Sequence, residues 1–180
     1  MKTILISLLL AFTLTSVFGQ PDDKVAKTPA LNNDWRSGFI NITEFNGGIG
    51  LADTQSEFSK QYFGITNVTG YQFSRNIKAG VGIGFQVHNG GAFFPLFLDA
   101  RYSFSAQEFV PFFAAAGGLA LSFRDLANKS RIFINPSVGM KWVAANKTGI
   151  SFSTGLIIMS GESYRTSFVN FKLGVELKGK

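Results

Sequence analysis

The chain has 180 residues, a formal charge of +6 and no cysteine, which excludes disulfides and thiol chemistry. With an apolar leader set aside, about 160 residues and a charge of about +5 remain, enough for one domain or one small barrel. Beyond the leader no run of about 18 apolar residues is uninterrupted, so no transmembrane helix is expected; 20 Phe and 20 Gly suit an apolar exterior and a tightly curved wall.

Met1, Lys2 and Thr3 precede an apolar run from Ile4 to Val17 that closes on Phe18, Gly19 and Gln20. A basic start followed by an apolar stretch is the pattern of a cleavable secretory signal, assigned to residues 1–20. Residues 21–34 carry Pro21, Asp22, Asp23, Lys24, Lys27 and Pro29 without apolar periodicity and read as a flexible arm, leaving 35–180 as the folded domain. The first strand is predicted over Arg36 to Gly50. Its pattern is mixed, with Phe39, Asn41, Thr43 and Phe45 on one side against Ile40, Ile42 and Glu44 on the other, and Gly47 and Gly48 suggest a bulge or bend.

A polar loop over Ala52 to Lys60 leads to a second strand, Gln61 to Phe73, with Phe63, Ile65, Tyr71 and Phe73 in phase. The third, from Ile77 to Val87, is the cleanest: every odd residue is apolar, and the even ones are Lys78, Gly80, Gly82, Gly84 and Gln86. Period two is the signature of a strand with one greasy face. The fourth strand is predicted over Phe93 to Ser105, with Leu96, Leu98, Ala100 and Tyr102 alternating with Asp99, Arg101 and Ser103. Phe109 to Phe123 forms the fifth. The sixth, around Ile132 to Trp142, contains Pro136, which predicts a bulge or local distortion. Thr148 to Met159 and Arg165 to Lys178 complete the set, the last with Val169, Phe171, Leu173, Val175 and Leu177 against Asn170, Lys172, Gly174 and Glu176. Turns at Ser74 to Asn76, Ala106 to Gln107 and Ala145 to Asn146 are tight; those at Ala52 to Lys60, Asn89 to Ala92, Arg124 to Ser130 and Ser160 to Tyr164 are longer.

Long strands, an even count and short turns on one side predict an all-β fold, an eight-stranded antiparallel up-and-down transmembrane β-barrel. Closure removes the unpaired edges that an open sheet would expose to lipid. The apolar phase then meets hydrocarbon, and Lys78, Asp99, Arg101, Lys141, Lys172 and Glu176 form a mixed-sign polar network in the lumen. Glycines on the inward phase, Gly80, Gly82, Gly84, Gly139 and Gly174, leave room for longer side chains there. The competing architecture is a lipocalin-like soluble barrel, in which Phe63, Phe85 and Phe171 surround a small hydrophobic ligand.

Gly70-Tyr71-Gln72-Phe73, Ile77 to Phe85, Pro95-Leu96-Phe97-Leu98-Asp99-Ala100-Arg101-Tyr102, Pro111-Phe112-Phe113 with Gly117-Gly118, and Asn135 to Lys141 together resemble the small outer-membrane β-barrel proteins of the Bacteroidetes group, broadly of the OmpX and OmpW type. The resemblance covers nearly the whole mature chain. It implies a barrel scaffold in the bacterial outer membrane, with outer-membrane lipid, lipopolysaccharide and the outer-membrane assembly machinery as partners, an unknown extracellular partner through the outer turns, and no family-wide catalytic residue. Such barrels usually end on an aromatic residue; this chain closes on Leu177-Lys178-Gly179-Lys180, with Phe171 the nearest aromatic of the last strand.

Little in the sequence points to chemistry. The single histidine, His88, is read as a rim residue of the third strand, and no local motif pairs it with Ser103, Ser122 or Ser163 for nucleophilic catalysis. One imidazole and no thiol make a zinc site untenable, so neither metal nor other cofactor is expected. No nucleic-acid-binding module is recognisable. The expected role is a non-enzymatic, structural or envelope-associated barrel with a packed polar lumen. A hydrophobic-ligand carrier, a narrow channel and a lipid-modifying enzyme are the alternatives.

Overall fold

The computed structural model describes residues 37–51, 60–104, 109–122, 130–143, 148–161 and 165–179. The leader, the arm and most of the longer connections named above lie outside these. Eight strands follow one another: β1 (Gly38–Gly50), β2 (Gln61–Gln72), β3 (Ile77–His88), β4 (Gly91–Ser103), β5 (Phe109–Leu121), β6 (Arg131–Val143), β7 (Thr148–Ser160) and β8 (Arg165–Lys178). Each pairs antiparallel with the next, and β8 pairs with β1, so the sheet closes into a barrel without an edge.

Following the pairing round from Ile40 through Gly70, Gly80 and Asp99 and on to Phe168 returns to Gly50, ten residues further along β1. That stagger means the strands tilt, by about 35–45° in barrels of this kind. A strand of 13 residues is about 40 Å long, and at such a tilt it rises about 30 Å, the depth of a bilayer's hydrocarbon.

Alternation decides which side chains face out. Val81, Leu98 and Leu173 are 53%, 68% and 55% exposed, whereas Lys78, Asp99 and Arg101 on the other phase of the same wall are buried. Phe63, Phe85 and Phe171, which would line a ligand cavity in a lipocalin-like barrel, are on the outside instead.

Two local expectations are corrected and one is narrowed. No bulge forms at Gly47 and Gly48, since β1 keeps one register with both neighbours along its length. Instead Gly48 gives space to the buried Tyr62, whose ring would lie 2.2 Å from a Cβ at that position. Pro136 gives the local distortion expected of it but not a bulge: partners are missing between Ile134–Ile158 and Ser137–Gly155, yet the register is the same on both sides. A proline removes one donor and opens the ladder, but adds no residue. Finally, the β3–β4 connection belongs with the tight turns, because His88 pairs directly with Gly91 across Asn89 and Gly90. Gly91 has φ of 146°, a backbone conformation that side-chain-bearing residues avoid.

Candidate functional site in the barrel interior

The interior has two zones. Toward the end where β1 begins and β8 finishes, charged side chains from five strands meet. Arg101 of β4 donates from Nε to Asp99 Oδ1 at 2.7 Å and from Nη2 to Asp99 Oδ2 at 3.3 Å. Its Nη2 also lies 3.0 Å from Glu44 Oε1 of β1, and Lys172 Nζ of β8 is 4.0 Å from Glu44 Oε2. The guanidinium stands 5.8 Å from the centre of the Phe112 ring, within reach of a cation–π attraction.

A second group forms around Glu176 of β8. Lys141 Nζ donates to its Oε1 at 3.1 Å, and Lys78 Nζ donates to the same oxygen. Four cations and three carboxylates therefore share this half of the lumen, and all seven residues are at most 8% exposed. Charges so deeply placed need partners, because removal from water costs several kcal/mol per ion (roughly) even after relaxation.

The six residues singled out from sequence thus lie in one interior, but not with the neighbours that spacing along a strand suggests. Asp99 and Arg101, two apart, do pair. Lys172 and Glu176 share a face of β8 yet have different partners: Lys172 lies near Glu44, and Glu176 holds Lys78 and Lys141. Sequence reasoning did not include Glu44. Its inward neighbours Ile40 and Ile42 are apolar, so its strand lacked the clean polar phase that drew attention to β3, β4 and β8.

The other zone is aromatic, which the expectation of a wholly polar lumen did not anticipate. Tyr62, Phe93 and Phe168 are at most 1% exposed. His88 is the last residue of β3, at the end of the barrel as a rim residue would be, but it is 5% exposed and its side chain lies among them. Its ring stacks on Tyr62 at 5.0 Å and meets Phe93 and Phe168 edge-on at 5.0 and 5.6 Å. Between the zones, Phe97 packs edge-on against Phe133 at 5.9 Å. Gly82 faces it because a Cβ there would lie 2.2 Å from the Phe97 ring.

Two small cavities lie in the interior among the described residues. A cavity of about 20 Å³ lies between the zones, bordered by Glu44, Tyr62, Asn135, Asn170 and Lys172, and one of about 10 Å³ lies among Lys78, Arg101, Lys141 and Glu176. Each is about the size of one water molecule. Among the described residues Tyr62 Oη, Asn135 Oδ1 and both amide atoms of the Asn170 side chain have no hydrogen-bond partner, so unsatisfied polar atoms border the larger cavity. Among the described residues no group of three or more His, Cys, Asp or Glu is arranged to hold a metal ion. Ser103 and Ser122 are buried, and Ser163 is outside the described residues.

A second polar cluster sits on the outer face, built from the Asn41 and Thr43 that make the pattern of β1 mixed and from Asn67 and Thr69 of β2. Asn41 and Asn67 exchange amide hydrogen bonds of 3.0 and 2.9 Å, Asn41 Nδ2 donates to Thr69 Oγ1 at 3.1 Å, and Asn67 Nδ2 donates to Thr43 Oγ1 at 2.9 Å. All four amide protons are used. On the inner face of the same wall stand Ile40, Ile42 and Val68, all buried.

No protein-family model matches the chain, and no curated protein matches it. Among solved structures it is similar to Neisserial surface protein A, with a TM-score of 0.64 at 12% identity over 80% of this chain and 99% of that one. A looser superposition, TM-score 0.47 at 15% identity, relates 79% of the chain to the whole N-terminal β-barrel domain of Pseudomonas aeruginosa OprF. At 12% identity the likeness to the Neisserial protein is one of fold.

Proposed function

We propose that the chain is an integral outer-membrane β-barrel with a structural or envelope-associated role, non-enzymatic and closed to ions. The observation that carries this reading is the inversion of polarity across one wall. Among the described residues thirty large apolar side chains are exposed, while four cations and three carboxylates are inside. In water such an exterior would aggregate; in a bilayer it meets hydrocarbon.

The packed interior supports a scaffold over a channel. Tyr62, Phe93 and Phe168 fill one zone, and Lys78, Asp99, Arg101, Lys141, Lys172 and Glu176, joined by Glu44, tie opposite walls together in the other. Their role in this reading is structural. Residues 1–20 serve as the export signal and 21–34 as an arm ahead of the barrel. Membrane lipid, lipopolysaccharide and the assembly machinery are the partners that follow from this location, and kinship with small Bacteroidetes barrels of the OmpX and OmpW type belongs to the same proposal.

Membrane fractionation followed by electrophoresis of boiled and unboiled samples tests the reading. The chain should be found with the outer membrane, require detergent for extraction and migrate differently when unboiled, and the purified barrel should give no steady ion conductance in planar bilayers. Recovery as a detergent-independent soluble protein would overturn it.

A further inference from the structure

We propose that the outer wall over β2–β5 carries a site for a single acyl chain of a membrane amphiphile. The proposal rests on the membrane reading above and adds a defined lipid position to it. The starting observation is a groove of about 530 Å³ on the outside of the barrel, within the usual roughly 300–1,000 Å³ of small-molecule sites.

Its origin is Pro95. Between β3 and β4 the pairing runs to Ile83–Leu96 and resumes at Gln86–Phe93 in unchanged register, so the two intervening rungs are missing. Pro136 opens β6–β7 in a similar way, but its ring is on the exposed phase, beside its own gap. Pro95 is on the buried phase and its ring borders the lumenal cavity, so the outer side of its gap stays open.

Two rows of outward side chains bound the groove. Ile65 and Phe85 face each other across β2–β3 on one side, continuing through Phe94 to Leu121. Asn67, Ile83 and Leu96 are the paired row on the other. The floor between them is formed by Thr66, Gly84 and Pro95.

The shape suits one leaflet's worth of hydrocarbon. From β2 to β5 the groove crosses three strand spacings, about 14 Å at about 4.8 Å each, which at a tilt of about 35–45° rises about 9 Å; the step of two residues between the Asn67 row and the Leu121 row adds about 5 Å, together about half of a hydrocarbon core of about 30 Å. It also runs from depth to surface. The stagger that returns Ile40 to Gly50 makes each row climb toward the end of the barrel where β5 finishes, so the groove rises from mid-strand Asn67 to Leu121, the last residue of β5. Aliphatic and aromatic side chains line that path, and the amide cluster of Asn67 and Thr43 closes the deep end. A chain entering from the interface thus meets apolar contacts until the bilayer midplane, where a polar stop limits its length.

The test is native mass spectrometry of the detergent-purified barrel with palmitoyl lysophosphatidylcholine as the probe. Wild-type protein should retain one lysolipid after the micelle is stripped. Leu96→Trp, which fills the groove, should retain at least tenfold less, and Val138→Trp, on the outside of β6, should behave as wild type. A boiled-against-unboiled gel shift shows that each variant is folded; Ile83→Trp replaces Leu96→Trp if the latter does not fold. Equal retention in all three proteins, or several lipids lost in parallel, overturns the site while leaving the membrane barrel intact. A chain recovered without detergent that still takes up one lysolipid, blocked by Leu96→Trp, would uphold the groove and remove the membrane reading.

Discussion

Two walls of this barrel solve opposite problems with the same backbone. On β3–β4, apolar Val81 and Leu98 face out while Lys78, Asp99 and Arg101 face in; on β1–β2, Asn41, Thr43, Asn67 and Thr69 face out while Ile40, Ile42 and Val68 face in. Period-two alternation is common to both, so alternation assigns side chains to two faces without deciding which face is polar. The difference between the walls lies in where polar groups find partners. Inside, carboxylates and cations come from walls across the lumen. Outside, Asn41 and Asn67 are cross-strand neighbours that satisfy one another and their adjacent threonines. The charged groups inside and the amides outside are therefore tolerated because each finds partners of its own, in whichever direction it points.

The inner charged side should be the more fragile. Arg101→Ala leaves Asp99 and Glu44 buried without their shared guanidinium, and a loss of about 3–5 kcal/mol is expected, as for other buried pairs broken on one side. Urea titration of the refolded barrel, followed by the unboiled gel band, measures it. Removing the whole set in Arg101→Met, Asp99→Asn, Glu44→Gln, Lys172→Met, the last because Lys172 has Glu44 as its partner, should restore a large part of that loss. If the quadruple variant is no better than Arg101→Ala, the cost lies in lost packing rather than in stranded charge.

On the β1–β2 wall the corresponding interior residue is Ile42, 1% exposed. Ile42→Ala should cost about 2–5 kcal/mol by lost burial and the cavity left behind, with no dependence on a second charge-removing change. A smaller effect is expected where the two zones of the lumen meet: Gly82→Val pushes a Cβ into the Phe97 ring, 2.2 Å away in the present packing, at about 1–3 kcal/mol. In a Phe97→Ala background the penalty for Gly82→Val should disappear or reverse, which the same titration can read.

How far the sequence alone reaches follows the same division. β3, β4 and β8 each carry a run of alternating apolar and polar residues, so the eight antiparallel strands of a closed barrel, and the common inward phase of Lys78, Asp99, Arg101, Lys172 and Glu176, could be read directly. Partners could not. Glu176 is held by Lys78 of β3 and Lys141 of β6 because barrel closure and stagger bring those walls together, and nothing in a periodic pattern encodes the stagger. Glu44 was hidden by its isoleucine neighbours. The aromatic zone escaped because Tyr62, Phe93 and Phe168 sit on three different strands, so no single strand's pattern displays it. Pro136 marks a disturbance in the sequence without fixing its kind: loss of one donor allows a bulge or a gap, and the flanking rungs on β7 keep the register in place.

The outer cluster offers the gentlest test of the comparison. Asn67→Leu removes two donated hydrogen bonds and the acceptor for Asn41, yet it also replaces an amide by a side chain that hydrocarbon solvates well. In membrane proteins such side-chain bonds average about 0.6 kcal/mol and reach about 2, because unfolded alternatives also satisfy them. Asn67→Leu alone should therefore destabilise the barrel by about 1 kcal/mol, leaving the Asn41 amide short of a partner. The double variant Asn41→Leu, Asn67→Leu removes the stranded group and should match or exceed wild type in lipid bilayers, while in water-rich short-chain detergent the gain should shrink. A double variant that loses more than the sum of the singles would mean that this wall needs its polar face for something other than its own hydrogen bonds, and the parallel drawn with the charged interior would fail.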